Sequence, residues 1–400
     1  MTYQPQHAAD VAAINKVLAV KPSWTAMCRA ADAVKLDKHT LLHAGPKFSD
    51  VNNITRPILN SAKVTAVFEG IADDFDQAES KIHNGEIQLR PAQDFDVVTP
   101  LAAVVSSSMS LHQVEDAAGS GSIAWAPLNG GNGAAPRLGQ CHQPALDHLN
   151  WMYSIVAPAL EHAVAEGVDL LSVAAAAIQQ EDDCHGRTPV GTKETLQHIQ
   201  PSLANLSNGA DVIAFIEQGP SFFLNIWMAA CKCMLSAARN TENSSLVISA
   251  GANGASTGIQ LAANPAQWII ADAVTPTGKF DREDLPASRG LGAIGDSAIV
   301  DAMGFGAMAM SYSKPQQDGL GAYLPESGLE LGNLLLSAEH PAFGSLHLPV
   351  GLTARACVES GLAPIVSLGI LDREGELGRL GGGIFTQPLA MFTTAVSELQ

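Results

Sequence analysis

The apolar residues of this 400-residue chain form short runs whose spacing changes twice along the sequence. From about residue 35 to 133 these runs alternate with helical or turn segments. From about 143 to 240 they recur three and four positions apart, which is typical of helices, and after 244 short strand-like runs return. The pattern predicts a mixed α/β (α+β), multidomain chain, with two α/β domains, 1–142 and 244–400, flanking a central helical domain, 143–243.

Shorter signals predict individual elements within this plan. Two short helices are expected over 8–34, separated at Pro22, with the Ser23 hydroxyl capping the second. The run 64–68 predicts a strand followed by a turn and a helix, and Asn84-Gly85 is a turn signal. Further strands are expected at 40–43, 86–89, 97–105, 245–249, 267–273 and 364–371, and further helices at 297–310 and 388–399.

Composition and charge exclude several classes of protein. Apolar residues make up 46% of the chain and charged residues 16%, a balance that favours a packed globule over a disordered chain. The formal net charge of −18 repels phosphate backbones and anionic lipids, so neither nucleic-acid nor membrane binding is expected. An anionic small substrate would need a local pocket of Arg, Lys or backbone N–H groups.

The chain shows no sign of export, membrane insertion or metal binding. Its first ten residues lack the basic start and apolar run of a secretory signal. The most apolar stretch, 222–235, is interrupted by Asn225 and Lys232 and is shorter than the ~20 residues that span a bilayer. Six cysteines are scattered without C-x-x-C pairs, and Cys231 and Cys233 would point apart on a helix. We therefore expect a cytoplasmic protein with reduced thiols and no metal site at the cysteines, while a divalent ion at His185 with Asp182 and Asp183 stays an open alternative.

Familiar nucleotide and nucleophile motifs are incomplete. Gly278-Lys279 lacks the earlier glycine of a Walker loop, and 304–306 lacks the third glycine of a dinucleotide loop, so no nucleotide cofactor is predicted. The stretch 254–258 matches the G-x-S-x-G elbow, but the residues after it favour a strand rather than the required helix. Ser256 is therefore interpreted as a turn residue.

The most reactive-looking segment, 181–187, carries acids, an imidazole and a guanidinium in the order Glu-Asp-Asp-Cys-His-Gly-Arg. A carboxylate beside an imidazole can orient it and raise its pKa, and a nearby Arg can hold a carboxylate or phosphate. Acidic residues at a helix C-terminus are also electrostatically unfavourable, which favours a functional role. A structural network at the helix end remains the alternative.

Glycine-rich segments offer backbone N–H groups that could bind an anion. They are 129–133, followed by Arg137, 251–254 and 378–383, and ordinary turn chemistry is the alternative for each. Asp296-Ser297 precedes an apolar run and is consistent with helix capping. His43 follows an apolar strand and either presents its imidazole at the strand end or has a structural role.

Several segments together carry a family resemblance. They are Leu-Leu-His-Ala-Gly-Pro at 41–46, Phe-Glu-Gly at 68–70, Asp-Cys-His-Gly-Arg at 183–187, Phe-Phe-Leu-Asn at 222–225, Gly-Asp-Ser-Ala-Ile at 295–299 and the glycine-rich C-terminal part. In this order they resemble the YlbE/YahG-like family, whose AllG-type members are a subunit of oxamate carbamoyltransferase in anaerobic allantoin breakdown. The resemblance runs nearly end to end.

The resemblance implies phosphorolysis of oxalurate to oxamate and carbamoyl phosphate, or the reverse reaction, together with other carbamoyltransferase subunits of the FdrA-like type. His185, oriented by Asp183, would then transfer a proton or stabilise an oxyanion, and Arg187 would hold an anionic group. The residues expected to bind the ureide, phosphate or carbamoyl phosphate are His43, Gly45, Glu69, Asn129, Arg137, Asn225, Asn253, Gly254, Asp296, Ser297, Gly381, Gly382 and Gly383. No cofactor is implied, and a homodimer is expected from the frequency of twofold oligomers.

The chain also departs from the family pattern. Relatives usually carry Asn-Glu-Gly and Arg-Phe-Gly where this chain has Asn-Gly-Gly at 129–131 and Arg-Leu-Gly at 137–139. They carry Arg-Asn-Gly and Gly-Ile-Arg where it has Ala-Asn-Gly at 252–254 and Gly-Ile-Gln at 258–260. The loss of two guanidinium groups indicates a divergent paralogue with a changed substrate or a non-catalytic role.

Three functions follow as hypotheses. The first is an enzyme or enzyme subunit for carbamoyl or amide transfer on a small ureide in purine and allantoin nitrogen catabolism. The second is a non-catalytic subunit that contributes an interaction surface. The third is a binding protein for a neutral ureide.

Overall fold

The computed structural model of the chain describes residue 5 and residues 7–399. The first part of the chain forms α1 (Ala8–Ala19), β1 (Pro22–Arg29), α2 (Ala30–Ala33), β2 (Thr40–His43), α3 (Arg56–Phe68), α4 (Phe75–His83), β3 (Gln88–Pro91), β4 (Ser110–Asp116) and β5 (Ile123–Pro127). The middle part forms α5 (Gln143–Trp151), α6 (Ala157–Ala163), β6 (Val168–Asp169), α7 (Leu170–Gln179), α8 (Pro189–Leu203), α9 (Gly209–Gln218) and α10 (Phe222–Ser236).

The last part of the chain returns to short strands and helices. It forms β7 (Val247–Asn253), β8 (Ser256–Leu261), β9 (Asn264–Asp272), β10 (Thr277–Phe280), β11 (Ile294–Gly295), α11 (Ala298–Met303), α12 (Lys314–Leu320), α13 (Leu331–Leu335), β12 (Leu336–Glu339), β13 (Pro349–Leu352), α14 (Ala354–Ser360), β14 (Ile365–Leu371), β15 (Arg379–Thr386) and α15 (Leu389–Ser397). The mixed α/β class is confirmed.

The strands form small, mostly antiparallel sheets. One sheet has the order β5-β4-β1-β6, a second β11-β7-β8-β9 and a third β10-β15-β14, and β12 pairs with β13. Only the pair β2-β3 is parallel among the named strands of the described residues, with Thr40 opposite Gln88. In β14-β15, Ser367 lies opposite Ile384 and Gly369 lies opposite Gly382, and this register matters for the site described below.

Three local predictions are wrong for physical reasons. Residues 22–29 form strand β1 rather than a second helix, because β1 pairs with β4 from Pro22 to Arg29 and this pairing overrides the helical spacing. The run 64–68 belongs to α3 rather than to a strand, since α3 is buried on nearly every face and a buried helix resembles a buried strand in hydropathy. Residues 97–105 contain only isolated bridges at Val97 and Val105.

Other predicted elements are confirmed. The strand at 40–43 and the turn at Asn84-Gly85 are present as expected. The middle third is helical, and the strands and helices predicted after residue 244 are found within a few residues of their expected bounds. Residues 256–261 form β8, which confirms that the 254–258 segment does not enter a helix as a nucleophile elbow must.

Helix α10 lies at the centre of the molecule. All of its residues except Leu224 are buried, and it packs against β4, β5, β7, α8 and α11. The largest apolar core therefore contains residues from all three thirds of the chain, including Trp24, Trp227 and Phe305. The domain boundaries at 142 and 243 stay predictions, and the helical third shares its core with both neighbours.

A buried ion pair joins the two ends of the chain. Asp10 of α1 lies 3.0 Å from the guanidinium of Arg355 in α14, and its other oxygen accepts hydrogen bonds from Ser244 and the backbone of Ser245. Both charged side chains are at most 9% exposed. Asp10 is thus satisfied only when α1, the segment before β7 and α14 meet.

Within residues 5 and 7–399, no helix is long and apolar enough to cross a bilayer. The same residues contain no group of three or more His, Cys, Asp or Glu side chains placed to hold a metal ion. Cys231 and Cys233 are fully buried in α10 as free thiols. The cytoplasmic location stays a prediction.

Candidate functional site

The predicted cluster at 181–187 forms a buried loop directly after α7. Cys184 has a φ angle of 61°, which turns the chain sharply towards α8. One oxygen of the Asp183 carboxylate accepts the N–H groups of His185 and Arg187, at 2.9 and 2.8 Å. The other oxygen accepts a hydrogen bond from Gln316 Nε2 at 2.8 Å. Asp183 therefore fixes the loop backbone and does not hydrogen-bond to the imidazole ring, contrary to its expected role.

The imidazole of His185 is oriented by Asp301, a residue of α11. His185 Nδ1 lies 2.7 Å from Asp301 Oδ2, and the two side chains are 5% and 2% exposed. Asp301 Oδ1 accepts the N–H of Ala307 at 2.8 Å and that of Ser367 at 3.3 Å. The carboxylate is thus fixed from three sides, and it fixes the ring in turn.

The surroundings of His185 favour its charged form. Burial alone lowers the pKa of the imidazole, but the neighbouring Asp301 carboxylate, followed by Asp183, outweighs burial, and the pKa is raised above its ordinary value. A proton held on Nδ1 by Asp301 leaves Nε2 to face a reactant. Nε2 has no hydrogen-bond partner among the residues that the structure describes. A histidine in this state can donate or accept one proton at Nε2.

Strand β14 lies against the same loop. A Cβ atom on Gly186 would lie 1.9 Å from Gln316 Nε2 and 2.7 Å from the Ser367 hydroxyl, so a larger residue here would displace these two side chains. On the other side of the ring, a Cβ atom on Gly306 would lie 2.8 Å from His185 Cβ. The Ser367 hydroxyl has no partner within the described part of the chain, and Gly369 follows it on the same face of β14. We call Ser367, Gly369 and the space above them the β14 face.

Arg187 is paired within the loop. Its Nε lies 3.4 Å from Oδ1 of Asp182, and the Arg187 side chain is 38% exposed. The other oxygen of Asp182 accepts the N–H groups of Val190 and Gly191 at the start of α8. Burial raises the pKa of Asp182 to about 6 despite these hydrogen bonds. Arg187 keeps an accessible side, but Asp182 already compensates part of its charge.

A second buried cluster centres on Asp296. Its Oδ1 accepts hydrogen bonds from the N–H of Gly45 at 2.9 Å and from Gln93 Nε2 at 2.7 Å. Its Oδ2 accepts both the N–H and the hydroxyl of Thr99 at 3.0 Å. Burial raises the pKa of Asp296 to about 6. The carboxylate joins the end of β2 to β11 rather than capping α11, and it offers little to a substrate.

The predicted residues beside this cluster are also engaged. His43 is fully buried, its Nδ1 contacts the carbonyl of Ala44, and burial lowers its pKa to about 4, so the ring is neutral. Asn253 donates to the carbonyl of Pro46, and its Oδ1 accepts the N–H groups of 255 and 256. Gly254 has a φ angle of 88°, as this turn requires. Here the alternative of turn chemistry accounts for the geometry.

A third group joins the 129–133 loop to α10. Asn129 Nδ2 donates to Asn225 Oδ1 at 3.2 Å, and Asn225 donates to the carbonyl of Pro127 at 2.7 Å. Asn129 Oδ1 accepts from Arg137 Nε at 3.3 Å, and Arg137 also donates to the carbonyl of Gly131. The two asparagines therefore hold the loop, and Arg137 is the charged group that they position.

The remaining predicted residues lie apart from these groups or in other elements. Glu69 accepts hydrogen bonds from Ser107 and Ser108, each hydroxyl at 2.7 Å. Gly381–383 lie in β15 rather than in a loop, with their backbone paired to both β10 and β14. The Ser297 side chain makes no cap hydrogen bond. Substrate contact by these residues stays a prediction.

A cavity of about 580 Å³ lies along β3, but it is lined by other residues. Phe48, Leu89 and Arg90 contribute to its wall, and no predicted site residue does. His185 therefore does not line this cavity.

Comparison with known proteins assigns the family. The model of the oxamate carbamoyltransferase subunit AllG matches residues 87–297. The chain belongs to the AllG family. It is 27% identical to the oxamate carbamoyltransferase subunit AllG of Escherichia coli over 98% of this chain and 97% of that protein. It is 28% identical to the uncharacterized E. coli protein YahG, over 97% of this chain and 85% of that protein.

A solved structure supports the fold along the whole length. The crystal structure of a conserved protein of unknown function from Enterococcus faecalis matches with a TM-score of 0.91 at 25% identity, over 98% of this chain and 96% of that chain. The AllG family model includes the His185 loop but ends before Asp301 and β14. The resemblance to the YlbE/YahG-like family is confirmed.

Sequence reasoning missed Asp301 and Ser367. Asp301 is the one acid in the otherwise apolar helix 298–303, and an acid in a buried run requires a partner, so this signal was present in the sequence. Ser367 lies in a similarly apolar strand. No sequence signal links either residue to His185, because Asp301 and Ser367 lie 116 and 182 positions after it in the chain.

Proposed function

We propose that this chain is a catalytic subunit of a carbamoyltransferase that acts on a small ureide acid of the oxalurate or oxamate type in purine and allantoin nitrogen catabolism. The observation that supports the proposal most directly is the buried His185–Asp301 pair, which leaves the imidazole Nε2 without a protein partner in the described residues. Membership of the AllG family suggests the class of reaction. Other carbamoyltransferase subunits are expected as partners.

The reaction needs a group that moves one proton. In the direction from oxalurate, a phosphate oxygen forms a bond to the carbamoyl carbon, and the bond from that carbon to the oxamate nitrogen breaks. The proton that hydrogen phosphate loses ends on this nitrogen. His185 Nε2 would deliver that proton, and the neighbouring Asp301 carboxylate, which raises the pKa of the imidazole, favours the protonated form that this step needs. In the reverse direction the same nitrogen atom accepts the proton.

The Ser367 hydroxyl lies beside Gly186, the residue after His185, and would be the donor to the reacting carbonyl group, because Asp183 already accepts the N–H groups of His185 and Arg187. Carbamoyl transfer passes through a tetrahedral oxyanion, and hydrogen-bond donors aimed at that oxygen stabilise it. Gly186 permits the close approach of β14 that brings Ser367 to this place.

The test is a His185→Gln variant in the complex reassembled with its partner subunits. We expect kcat for carbamoyl phosphate formation from oxalurate and phosphate to fall about 10²-fold or more, because proton transfer contributes roughly 10²–10⁴-fold in enzymes. The melting temperature should fall, because Asp301 loses its buried partner, and a wild-type circular dichroism spectrum at the assay temperature checks that the variant is folded. Full activity in this variant would contradict the role of His185.

His347 provides a matched control. It also lies 2.7 Å from a carboxylate, that of Glu339, but its side chain is 70% exposed. A His347→Gln variant should therefore keep wild-type kcat. The pair of variants separates the effect of a buried, oriented imidazole from that of any histidine–acid pair.

A non-catalytic subunit is the second candidate. The engagement of Asp296 and Asn253 by protein donors and acceptors favours it, because these predicted binding residues have little left for a substrate. In that case the chain would still assemble with the other subunits, and His185→Gln would leave the activity of the complex unchanged.

A further inference from the structure

Arg137 is a half-buried guanidinium without a carboxylate partner. Two of its five N–H donors are used, on Asn129 Oδ1 and the Gly131 carbonyl, and both acceptors are neutral. No ion pair of Arg137 is found in residues 5 and 7–399. Burial, and then the charge of Arg379, lower the pKa of Arg137 to about 10, which still leaves it charged. A desolvated charge of this kind is costly unless an anion meets it.

Arg379 lies across a glycine-lined part of the sheet. Gly369 and Gly382 face each other in β14 and β15, and Cβ atoms on them would lie 3.6 and 3.3 Å from the Arg379 guanidinium. Both glycines are partly exposed, whereas Leu368, the residue before Gly369 in β14, is buried. Arg379 Nη1 also donates to Asp281 at 2.8 Å, but that pair is exposed on both sides, so solvent screens it.

Both arginines lie near one end of the β14 face, close enough for the charge of Arg379 to lower the pKa of Arg137. The N–H of Ala102 donates to the Arg137 carbonyl at 3.1 Å, which fixes Arg137 beside the 100–102 turn. The neighbouring Leu101 side chain lies 3.5 Å from the Cβ position of Gly369, where Arg379 also lies. Ser367 is two residues from Gly369 on the same face, so Gly369, with Arg379 beside it, lies roughly 7 Å along the strand from the His185 end.

We infer that Arg137 and Arg379 form the subsite for the carboxylate of the substrate, with the flat Gly369–Gly382 surface as its floor. The inference rests on the proposed function, since it places the reacting carbamoyl group at the Ser367 and His185 end of the same face. A carboxylate fits this place better than the phosphate co-substrate, because the attacking phosphate must lie next to the reacting carbon. Two guanidinium groups can hold a carboxylate through several parallel N–H donors.

The test is calorimetric titration of the full-length chain with oxamate and, separately, with inorganic phosphate. Arg379→Gln should weaken oxamate binding at least tenfold and leave phosphate binding unchanged, whereas Arg379→Lys should lose less, because it keeps the charge and loses the planar fork. Arg282→Gln is the matched control, since Arg282 is an exposed arginine paired with Asp284. It should bind oxamate as the wild type does.

A steric variant tests the floor of the subsite without removing charge. A Cβ atom on Gly369 would make only ordinary contacts, at 3.5 and 3.6 Å, so Gly369→Ala should fold normally but fill the space for the carboxylate. We expect weaker oxamate binding at an unchanged melting temperature. Gly319→Ala, which would contact nothing within 4 Å, is the control.

The outcomes distinguish this inference from the proposed function. Oxamate binding that depends on Arg379 in a chain without turnover would support the subsite and contradict the catalytic proposal. Turnover by Arg379→Gln with an unchanged KM for oxalurate would support the catalytic proposal and contradict the subsite. Three results would each overturn the carboxylate subsite. They are wild-type affinity for oxamate in both Arg379→Gln and Gly369→Ala, no binding of oxamate by the wild type, and a loss of phosphate binding rather than oxamate binding in Arg379→Gln.

Discussion

Asp301 and Asp296 are both buried carboxylates at the same junction of the chain, yet they are used differently. Asp296 accepts four hydrogen bonds from Gly45, Gln93 and two donors of Thr99, so both of its oxygens are engaged by the protein. Asp301 accepts two backbone N–H groups and also holds an imidazole whose far nitrogen is unbonded in the described structure. Burial and polarity are common to both places. At Asp301 the nitrogen without a protein partner belongs to an imidazole whose pKa is raised. The unpartnered atoms near Asp296, Gln93 Oε1 and His43 Nε2, belong to a neutral amide and to a ring whose pKa burial lowers to about 4, so they are poorly suited to proton transfer.

The largest expected effect comes from Asp301→Asn. The amide oxygen can keep both backbone hydrogen bonds, but its NH2 group then faces Nδ1 of His185 and forces the other tautomer, with the proton on Nε2. We expect kcat to fall roughly 10²–10⁴-fold. Loss of the carboxylate charge also removes what raises the pKa of His185, so the pH at which the protonated ring is lost should move down.

The measurement is the pH profile of kcat for the wild-type and Asp301→Asn complexes. Because the folded pKa of His185 is raised, the protonated form persists to higher pH in the wild type, and the alkaline limb of the profile should shift to lower pH in the variant. An unchanged limb together with wild-type kcat would show that Asp301 serves only the fold.

The next effect concerns stability. In Asp296→Asn one oxygen is replaced by NH2, so two of the four donors face another donor in the interior. At roughly 1–3 kcal/mol for each of the two unsatisfied donors, the free energy of unfolding should fall by about 2–6 kcal/mol. Urea denaturation at pH 7 measures it.

Asp284→Asn is the control for that experiment, because Asp284 is exposed and paired only with Arg282. It should leave the free energy of unfolding nearly unchanged. Asp301→Asn should also lose less stability than Asp296→Asn, since it keeps both backbone bonds. A larger loss of stability in Asp301→Asn than in Asp296→Asn would show that Asp301, and not Asp296, is the carboxylate on which the fold depends more.

The smallest effect concerns a buried histidine outside both clusters. His112 lies between Trp24 and Phe222, with ring centroids 5.0 and 5.9 Å away, and neither of its nitrogens has a partner in the described structure. Burial lowers its pKa to about 3, against roughly 6.5 in the unfolded chain. Between these values the unfolded chain binds a proton that the folded chain does not, so stability falls as the pH falls below 6.5.

His112→Phe should remove this contribution. The variant is expected to lose about 2 kcal/mol less stability than the wild type between pH 7 and pH 5, as measured by urea denaturation at both pH values. Its kcat should not change. Equal pH dependence in both proteins would mean that the His112 ring is protonated or solvated in the fold.

The sequence predicts which helices and strands form better than it predicts which residues meet at the candidate site. The strand at 40–43, the helical third and the extended residues after 256 follow from local spacing and are found. Strand β1 is missed because its partner β4 begins about 80 residues away, and only pairing decides its conformation. The His185 loop is recognisable, since its acids, imidazole and guanidinium are adjacent in sequence. Its orienting acid is not, because Asp301 and His185 meet only through tertiary packing.

The pairing of Asp10 with Arg355 has a consequence for biosynthesis. The two residues are 345 positions apart, so α1 emerges from the ribosome long before its partner exists. At a translation rate of about 5–20 residues per second, Arg355 is synthesised roughly 17–70 s after Asp10. During that time the apolar face of α1 and the central helix α10 lack their final neighbours. The last tertiary contacts of this chain therefore form after nearly all of it has been translated, and holding chaperones should bind its nascent form.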